Sequence, residues 1–274
     1  MLDEKQLSSF QENGYLIVDD AFDSGLLERL RSETQQIVRA FMHRAGVSER
    51  TEPLHDGVQA LENVDHKWVA YLFDTLAGSP ALRAFHDQRH MAQIAATLLG
   101  RSQDSPLYVD SSRVRVILPE DETRTYRWHQ EVFYTLPQSP FVQVWAPLIE
   151  QSTVATGTIE VCPGSHVEGV AKSSWNEEPG RAVQITVDDA IVGKYTGIPL
   201  ELQPGQAVLL HADLVHRSGS NTSGRVRYSL VGKYHDAADP AFCPPVPQLK
   251  YAGLTPKQYH DQWTQKWPAV TSVQ

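Results

Sequence analysis

Cysteine is nearly absent from this sequence: Cys162 and Cys243 are the only two among 274 residues. Two thiols cannot staple a disulfide scaffold or build a cysteine-rich zinc module, and they suit a compartment in which thiols stay reduced. Long apolar runs are missing as well. No stretch approaches the ~18 uninterrupted apolar residues that suggest a membrane span. The opening residues, Met1-Leu2-Asp3-Glu4-Lys5-Gln6, lack the basic-then-apolar order of a secretory signal, so a cytoplasmic location is expected. Positive charge is in deficit, with 24 Lys and Arg against 33 Asp and Glu and a formal net charge of −9. Such a chain is a poor general ligand for polyanions, so neither nucleic acid nor a membrane surface is expected as a partner. A local basic pocket is still compatible with that balance. Low-complexity linkers and internal repeats are also lacking, which favours a single domain over residues 1–274.

Histidine, by contrast, is plentiful. Eleven His with almost no Cys suit a site built from nitrogen and oxygen ligands.

The first 105 residues read mostly as helix. Residues 3–13 are polar and helix-prone, and Asn13-Gly14 gives a stop before the apolar run Tyr15-Leu16-Ile17-Val18, a short strand. Asp23 or Ser24 can cap an amphipathic helix in which Leu26, Leu27, Leu30, Ile37, Val38 and Phe41 fall on one stripe, ending near Gly46. Residues 47–64 read as a loop and a candidate lid, and 66–76 and 81–99 as further helices. From residue 106 the texture turns to β. Runs at 106–118, 141–149, 158–162, 183–187, 206–211 and 225–234 alternate with turns such as Pro163-Gly164 and Pro204-Gly205. Many short strands after a helical half imply an antiparallel sandwich or barrel with helices packed outside, here a core over 106–235 and an extension over 236–274. Segment 167–200 is a second lid candidate between strands. Residues 254–267 read as a closing helix with Tyr259, Trp263 and Trp267 at intervals of four, able to pack on its own barrel or at an interface; the oligomeric state is not legible.

Trp128-His129-Gln130-Glu131 lies at the start of the β-rich half. Residues two apart on a strand share a face, so His129 and Glu131 can reach one metal ion. Two His and one carboxylate leave coordination positions open, the arrangement used by non-haem Fe(II) oxygenases. Three His-x-acid pairs occur, however, at His129/Glu131, His166/Glu168 and His211/Asp213, and with 11 His and 33 acids such pairs arise by chance. Company decides between them. His129/Glu131 has a third candidate in His216, beyond the apolar run Ala207–Leu210, and Arg227 eleven residues further on. His166/Glu168 sits beside the turn Pro163-Gly164-Ser165, a poor support for a rigid ligand set. His211 reads as a structural histidine near the mouth of the site in preference to a ligand.

These elements resemble the phytanoyl-CoA dioxygenase family of Fe(II)/2-oxoglutarate-dependent oxygenases. The similarity runs in order through Asn13–Val18, Trp128–Glu131, Val142–Leu148, Val161–His166, Gln203–Ala207, and His216 with Ser218, Asn221, Ser223 and Arg227. It implies a mainly β protein with flanking helices: a double-stranded β-helix (jelly-roll, cupin-like) barrel buttressed by N-terminal helices. It further implies that His129, Glu131 and His216 bind iron, that Arg227 pairs with the distal carboxylate of 2-oxoglutarate, and that Ser218 adds a hydrogen bond. A guanidinium fork matches a carboxylate bidentately and keeps its charge when buried. Arg225 is the rival anchor, expected on the same strand face; family spacing favours Arg227. Trp145 either flanks the cosubstrate or fills the barrel core. The family usually has Asp where this chain has Glu131, and the added methylene requires a shifted rotamer or backbone. Related halogenases carry a small residue there, so any carboxylate argues against halogenation.

The resemblance implies a dioxygenase that uses O2, most simply a hydroxylase of an unactivated C–H bond in a small molecule, releasing succinate and CO2. Desaturation, cyclisation and epimerisation use the same residues, and a non-catalytic jelly-roll binding protein is the alternative from another class. Arg113 and Arg115 alternate on an expected strand. If their face lines the barrel they would receive an anionic substrate; otherwise they face solvent. Arg124 and Arg127 raise the same question, and Tyr134 is near enough to reach the cleft or to pack in the core.

Overall fold

A computed structural model of the chain describes residues 2–134, 140–179, 181, 183–242 and 258. Helix α1 (Glu4–Asn13) opens on a capping box, in which the Asp3 carboxylate accepts from the Gln6 amide and the Gln6 side chain accepts in return from the Asp3 amide. It stops at Gly14, whose φ of 76° lies in the left-handed region. A side chain there would also strike the His166 ring, since an added Cβ would stand 2.5 Å from its Nδ1. Strand β1 (Tyr15–Val18) follows directly. In α2 (Ser24–Arg44) Asp23 is the cap, accepting from the Leu26 amide, and Leu27, Leu30, Thr34, Val38 and Phe41 form the buried stripe.

Two expectations in the helical half are corrected. Residues 47–64 are not an open loop. A wide helical turn at Pro53–Gly57 runs into α3 (Val58–Val64), and Pro53, His55, Val58 and Leu61 are buried. Both pieces are too short for apolar periodicity to register. After α4 (Lys67–Ala77), the helix expected over 81–99 divides into α5 (Pro80–His86) and α6 (Arg89–Leu98). Gln88 makes the break: its backbone is extended, its amide nitrogen donates to the Phe85 carbonyl, and its amide oxygen accepts from the Asp23 backbone.

The β half contains β2 (Leu107–Ile117), β3 (Phe141–Pro147), β4 (Ile159–Val161), β5 (Ser173–Asn176) and β6 (Gln184–Val187). After the single turn α7 (Asp189–Val192) come β7 (Ile198–Pro199), β8 (Ala207–His211), β9 (His216–Ser218) and β10 (Arg227–Asp236). An antiparallel five-stranded sheet has the order β1-β8-β3-β10-β2, a smaller sheet has β7-β4-β9, and β5 pairs with β6. Strands β5, β7 and β9 are two to four residues long and escaped the sequence pattern. The closing helix expected over 254–267, with Tyr259, Trp263 and Trp267, lies outside the described residues.

Period-two alternation sorts the larger sheet into two faces. Val114, Val116, Val142, Val144, Leu209, Tyr228 and Leu230 point outward into the core shared with Leu30, Val38, Leu72, Leu82 and Ile94 of the helices. Trp145, Val208 and Leu210 point the other way, against Ile159, Val161, Leu200 and Leu202 of the smaller sheet's side. Arg113, Arg115, Gln143, Arg227, Ser229 and Lys233 share that inner side, where they line a cavity in place of a dry core. The result is a jelly roll with helices packed on the outside of its larger sheet. No helix among the described residues is long and apolar enough to cross a membrane.

A candidate metal centre at the floor of a basic cavity

The metal-ligand candidates converge through backbone pairing. Residues 126–129 run beside β9: the amides of His129 and His216 donate to each other's carbonyls at 2.9 and 3.0 Å, and the Ser218 amide donates to the Tyr126 carbonyl at 2.9 Å. This reciprocal pair sets the two rings side by side, with centroids 4.2 Å apart. Glu131 is not on a strand. It opens a single tight helical turn, Glu131–Tyr134, and this turn brings the longer carboxylate back over the imidazoles. Its Oε2 lies 3.5 Å from Nε2 of both His129 and His216. One ligand atom from each residue falls within 4.8 Å of the others.

Backbone carbonyls orient both imidazoles. Nδ1 of His129 lies 2.8 Å from the Arg127 carbonyl and Nδ1 of His216 lies 2.8 Å from the Leu214 carbonyl. A carbonyl can only accept, so each Nδ1 carries the proton and each Nε2 turns its lone pair inward. Burial, and then the adjacent His216, lowers the His129 pKa and keeps that ring neutral. For Glu131, burial opposes ionisation, but the Lys233 ammonium and the contacts with the two histidines outweigh it and hold the carboxyl well below its usual range.

Around this cluster is a cavity of about 320 Å³. The structure brings His129, Glu131, His216, Arg227, Ser218, Trp145, Arg113, Arg115 and Tyr134 together on its wall. Arg227 is 7% exposed, its Nε has no hydrogen-bond partner, and its Nη1 reaches only the Thr156 carbonyl at 3.5 Å. Burial, and then the nearby Arg115, pushes it down to about 9, so it stays cationic at neutral pH with its hydrogen-bonding capacity largely unspent. Ser229 Oγ and Gln143 Oε1, also on the wall, are likewise unpartnered. A buried fork with idle donors fits a carboxylate-bearing ligand.

Other expectations fall differently. Arg225 does not share the strand face of Arg227. It precedes β10 and pairs outside the cavity with Glu150 and Glu52, at 3.0 Å in the second case. Arg124 pairs with Asp121 and Glu62, and Arg127 with Glu178, so neither is free for a ligand. Trp145 lines the cavity and packs among Ile159, Leu200 and Val208 of the barrel core. Tyr134 presents only its ring: its hydroxyl accepts from the Ile185 amide at 2.6 Å, and burial raises its pKa. Arg113 and Arg115 both line the cavity, Arg115 half-buried and Arg113 exposed to solvent as well, their guanidinium groups 5.9 and 4.6 Å from the ring centres of Phe73 and Tyr126. His211 does not line the cavity; its ring lies 5.0 Å from that of His166, and burial followed by His166 lowers it to about 4.

Sequence reasoning missed two residues that shape the centre. Gln130, fully buried between the ligands, donates to the carbonyls of Gly169 and Asp213 and accepts from the Ala171 amide, tying two loops to the ligand segment. Lys233, 4% exposed, places Nζ 2.7 Å from Glu131 Oε1. Its position inside β10, on the face of Arg227, was the available signal.

Residues 10–229 match the sequence profile of the phytanoyl-CoA dioxygenase (PhyH) family. Over 185 residues the chain is 25% identical to L-proline trans-4-hydroxylase of Streptomyces griseoviridis, covering 58% of this chain and 69% of that enzyme. Among solved structures, EctD from S. alaskensis with bound Fe superposes with a TM-score of 0.59 at 18% identity, over 85% of this chain and 76% of that one. The non-haem α-ketoglutarate-dependent epimerase SnoN from nogalamycin biosynthesis gives 0.56 at 19% identity, over 85% and 82%. These folds are the same jelly roll. With a profile match over most of its length, the chain belongs to the phytanoyl-CoA dioxygenase family.

Proposed function

We propose that the protein is an Fe(II)/2-oxoglutarate-dependent dioxygenase that hydroxylates an unactivated C–H bond of a small anionic molecule. The observation that carries this reading is the meeting of His129, Glu131 and His216 donor atoms within 4.8 Å, at the wall of a cavity that also holds the unspent guanidinium of Arg227. Two neutral imidazoles and one carboxylate are a donor set that suits Fe(II) and leaves positions for other ligands. Arg227, with Ser218 and Ser229 on the same wall, would receive the distal carboxylate of 2-oxoglutarate. Bound together, iron and 2-oxoglutarate supply the chemistry that consumes O2, releases succinate and CO2, and breaks the C–H bond.

The chain's own residues bind, orient and exclude water. Trp145 and Ile159 supply apolar wall to the cavity. Tyr126 and Tyr134 set their rings 5.2 and 5.4 Å from that of His129, shielding one side of the ligand. Among the described residues, Arg113, Arg115, Arg227 and Lys233 face one lining carboxylate, Glu131, so this wall stays cationic after one dicarboxylate has bound. That surplus supports an anionic substrate, with Arg113 and Arg115 toward the mouth as its receptors. The relative L-proline trans-4-hydroxylase is named for a small carboxylate-bearing molecule, and a carboxylate is the group such a wall would receive.

A screen of small carboxylates and other anions with succinate as the readout tests the reading. Succinate above background is expected with at least one anion, abolished by an iron chelator. Equal succinate formation with and without iron contradicts the mechanism. Product analysis then separates hydroxylation from epimerisation or ring closure.

A further inference from the structure

Glu131 spends its two oxygens differently. Oε2 faces both histidines, and Oε1 is held by Lys233 Nζ at 2.7 Å. The same ammonium lies 3.5 Å from the Tyr134 carbonyl, so Lys233 grips both ends of the turn that carries Glu131. Lys233 sits just past a register shift in β10. Its neighbour Gly232 packs so tightly that an added Cβ would stand 2.4 Å from His86 Cε1, fixing the strand's depth in the fold. A lysine buried this far is costly to place without a charged partner.

Resting on the metal-binding role proposed above, we infer that Lys233 is a positioning residue that limits Glu131 to one metal-facing oxygen. A carboxylate can bind a metal through one oxygen or two. Glutamate has one more rotatable bond than aspartate, so an unrestrained Glu131 can swing both oxygens toward the metal. The second oxygen would then occupy a position that 2-oxoglutarate needs. Lys233 removes that option by engaging Oε1.

Co(II) serves as the probe, because its visible absorption reports coordination number in the absence of turnover. Wild-type and K233M proteins are titrated with Co(II) and then with 2-oxoglutarate. K233M is expected to hold Co(II) as tightly as wild type, show an altered Co(II) spectrum before 2-oxoglutarate is added, and bind 2-oxoglutarate roughly 10–100-fold more weakly. An unchanged Co(II) spectrum overturns the inference. So does a parallel fall in Co(II) and 2-oxoglutarate affinity, which is what general loosening would produce. K233Q is read by the same criteria where K233M does not fold. Wild-type protein that takes up no Co(II) contradicts the metal centre itself, a failure distinct from either of these.

Discussion

At the scale of single residues, the histidines decide how the centre responds to acid. Each gives its Nδ1 proton to a backbone carbonyl, so metal binding competes only with protonation at Nε2. Burial lowers the His129 pKa below the ordinary 6.5, which favours the neutral, ligating form. The His129 ring is therefore expected to take up its second proton at a lower pH than an exposed imidazole; an NMR titration of the metal-free protein that finds it at or above the ordinary value would contradict this. Arg227 and Arg225 provide a matched pair. Arg227→Gln removes a buried cation aimed into the cavity, and a charge-assisted hydrogen bond is worth about 1.5–3 kcal/mol, so 2-oxoglutarate should bind roughly 10–100-fold more weakly. Arg225→Gln breaks pairs at the surface, each worth about 0–1 kcal/mol, and should leave that affinity unchanged. Spectroscopic titration of both variants makes the comparison. The metal-ligand candidates were legible because histidine and acid spacing, with a distant His and Arg, is a chemical pattern carried by residue type. Lys233 was legible only in part: its place on the Arg227 face of the strand run was a signal, but its partner Glu131 lies about a hundred positions away on another element.

At the scale of elements, β10 does two jobs on two faces. Leu230 is fully buried in the core shared with the helices, while Ser229 faces the cavity with an unpartnered hydroxyl. Leu230→Ala should cost about 2–5 kcal/mol of stability through the cavity it leaves. Ser229→Ala should cost almost none, because an unpaired buried hydroxyl contributes nothing by being there, and should weaken 2-oxoglutarate by about 0.5–1.5 kcal/mol if the hydroxyl serves the bound carboxylate. Chemical denaturation and 2-oxoglutarate titration of both variants separate the two faces; equal destabilisation would contradict the assignment. The same alternation explains what the sequence could tell. Strands of four or more residues in the larger sheet announced themselves by their branched apolar content. β5 is polar and exposed in part, β7 and β9 are too short to show a period, and at Glu131 the expected strand gives way to a helical turn that folds the carboxylate back toward the histidines.

At the scale of the whole molecule, charge of opposite sign is segregated. The chain carries a formal −9, yet the cavity wall is cationic. Overall composition spoke against polyanionic partners as an expectation and was silent about a pocket built from a handful of side chains, which the inward face of the larger sheet assembles. A metal held by His129, Glu131 and His216 would link residues 126–131, β9 and, through Lys233, β10, so it should stabilise the folded chain. At a hundredfold excess over the dissociation constant the gain is about 2.7 kcal/mol, or a rise of roughly 5–10 °C in melting temperature. His216→Ala should melt at the same temperature with and without metal.

The most direct test of the central claim is an anaerobic titration of the protein with Fe(II) and 2-oxoglutarate, followed by visible absorption. Three protein ligands that leave positions open for a chelating 2-oxo acid predict a weak charge-transfer band that saturates at one equivalent of iron and is lost in His129→Ala and His216→Ala. Iron uptake with no such band, or a band of equal strength in those variants, would contradict it.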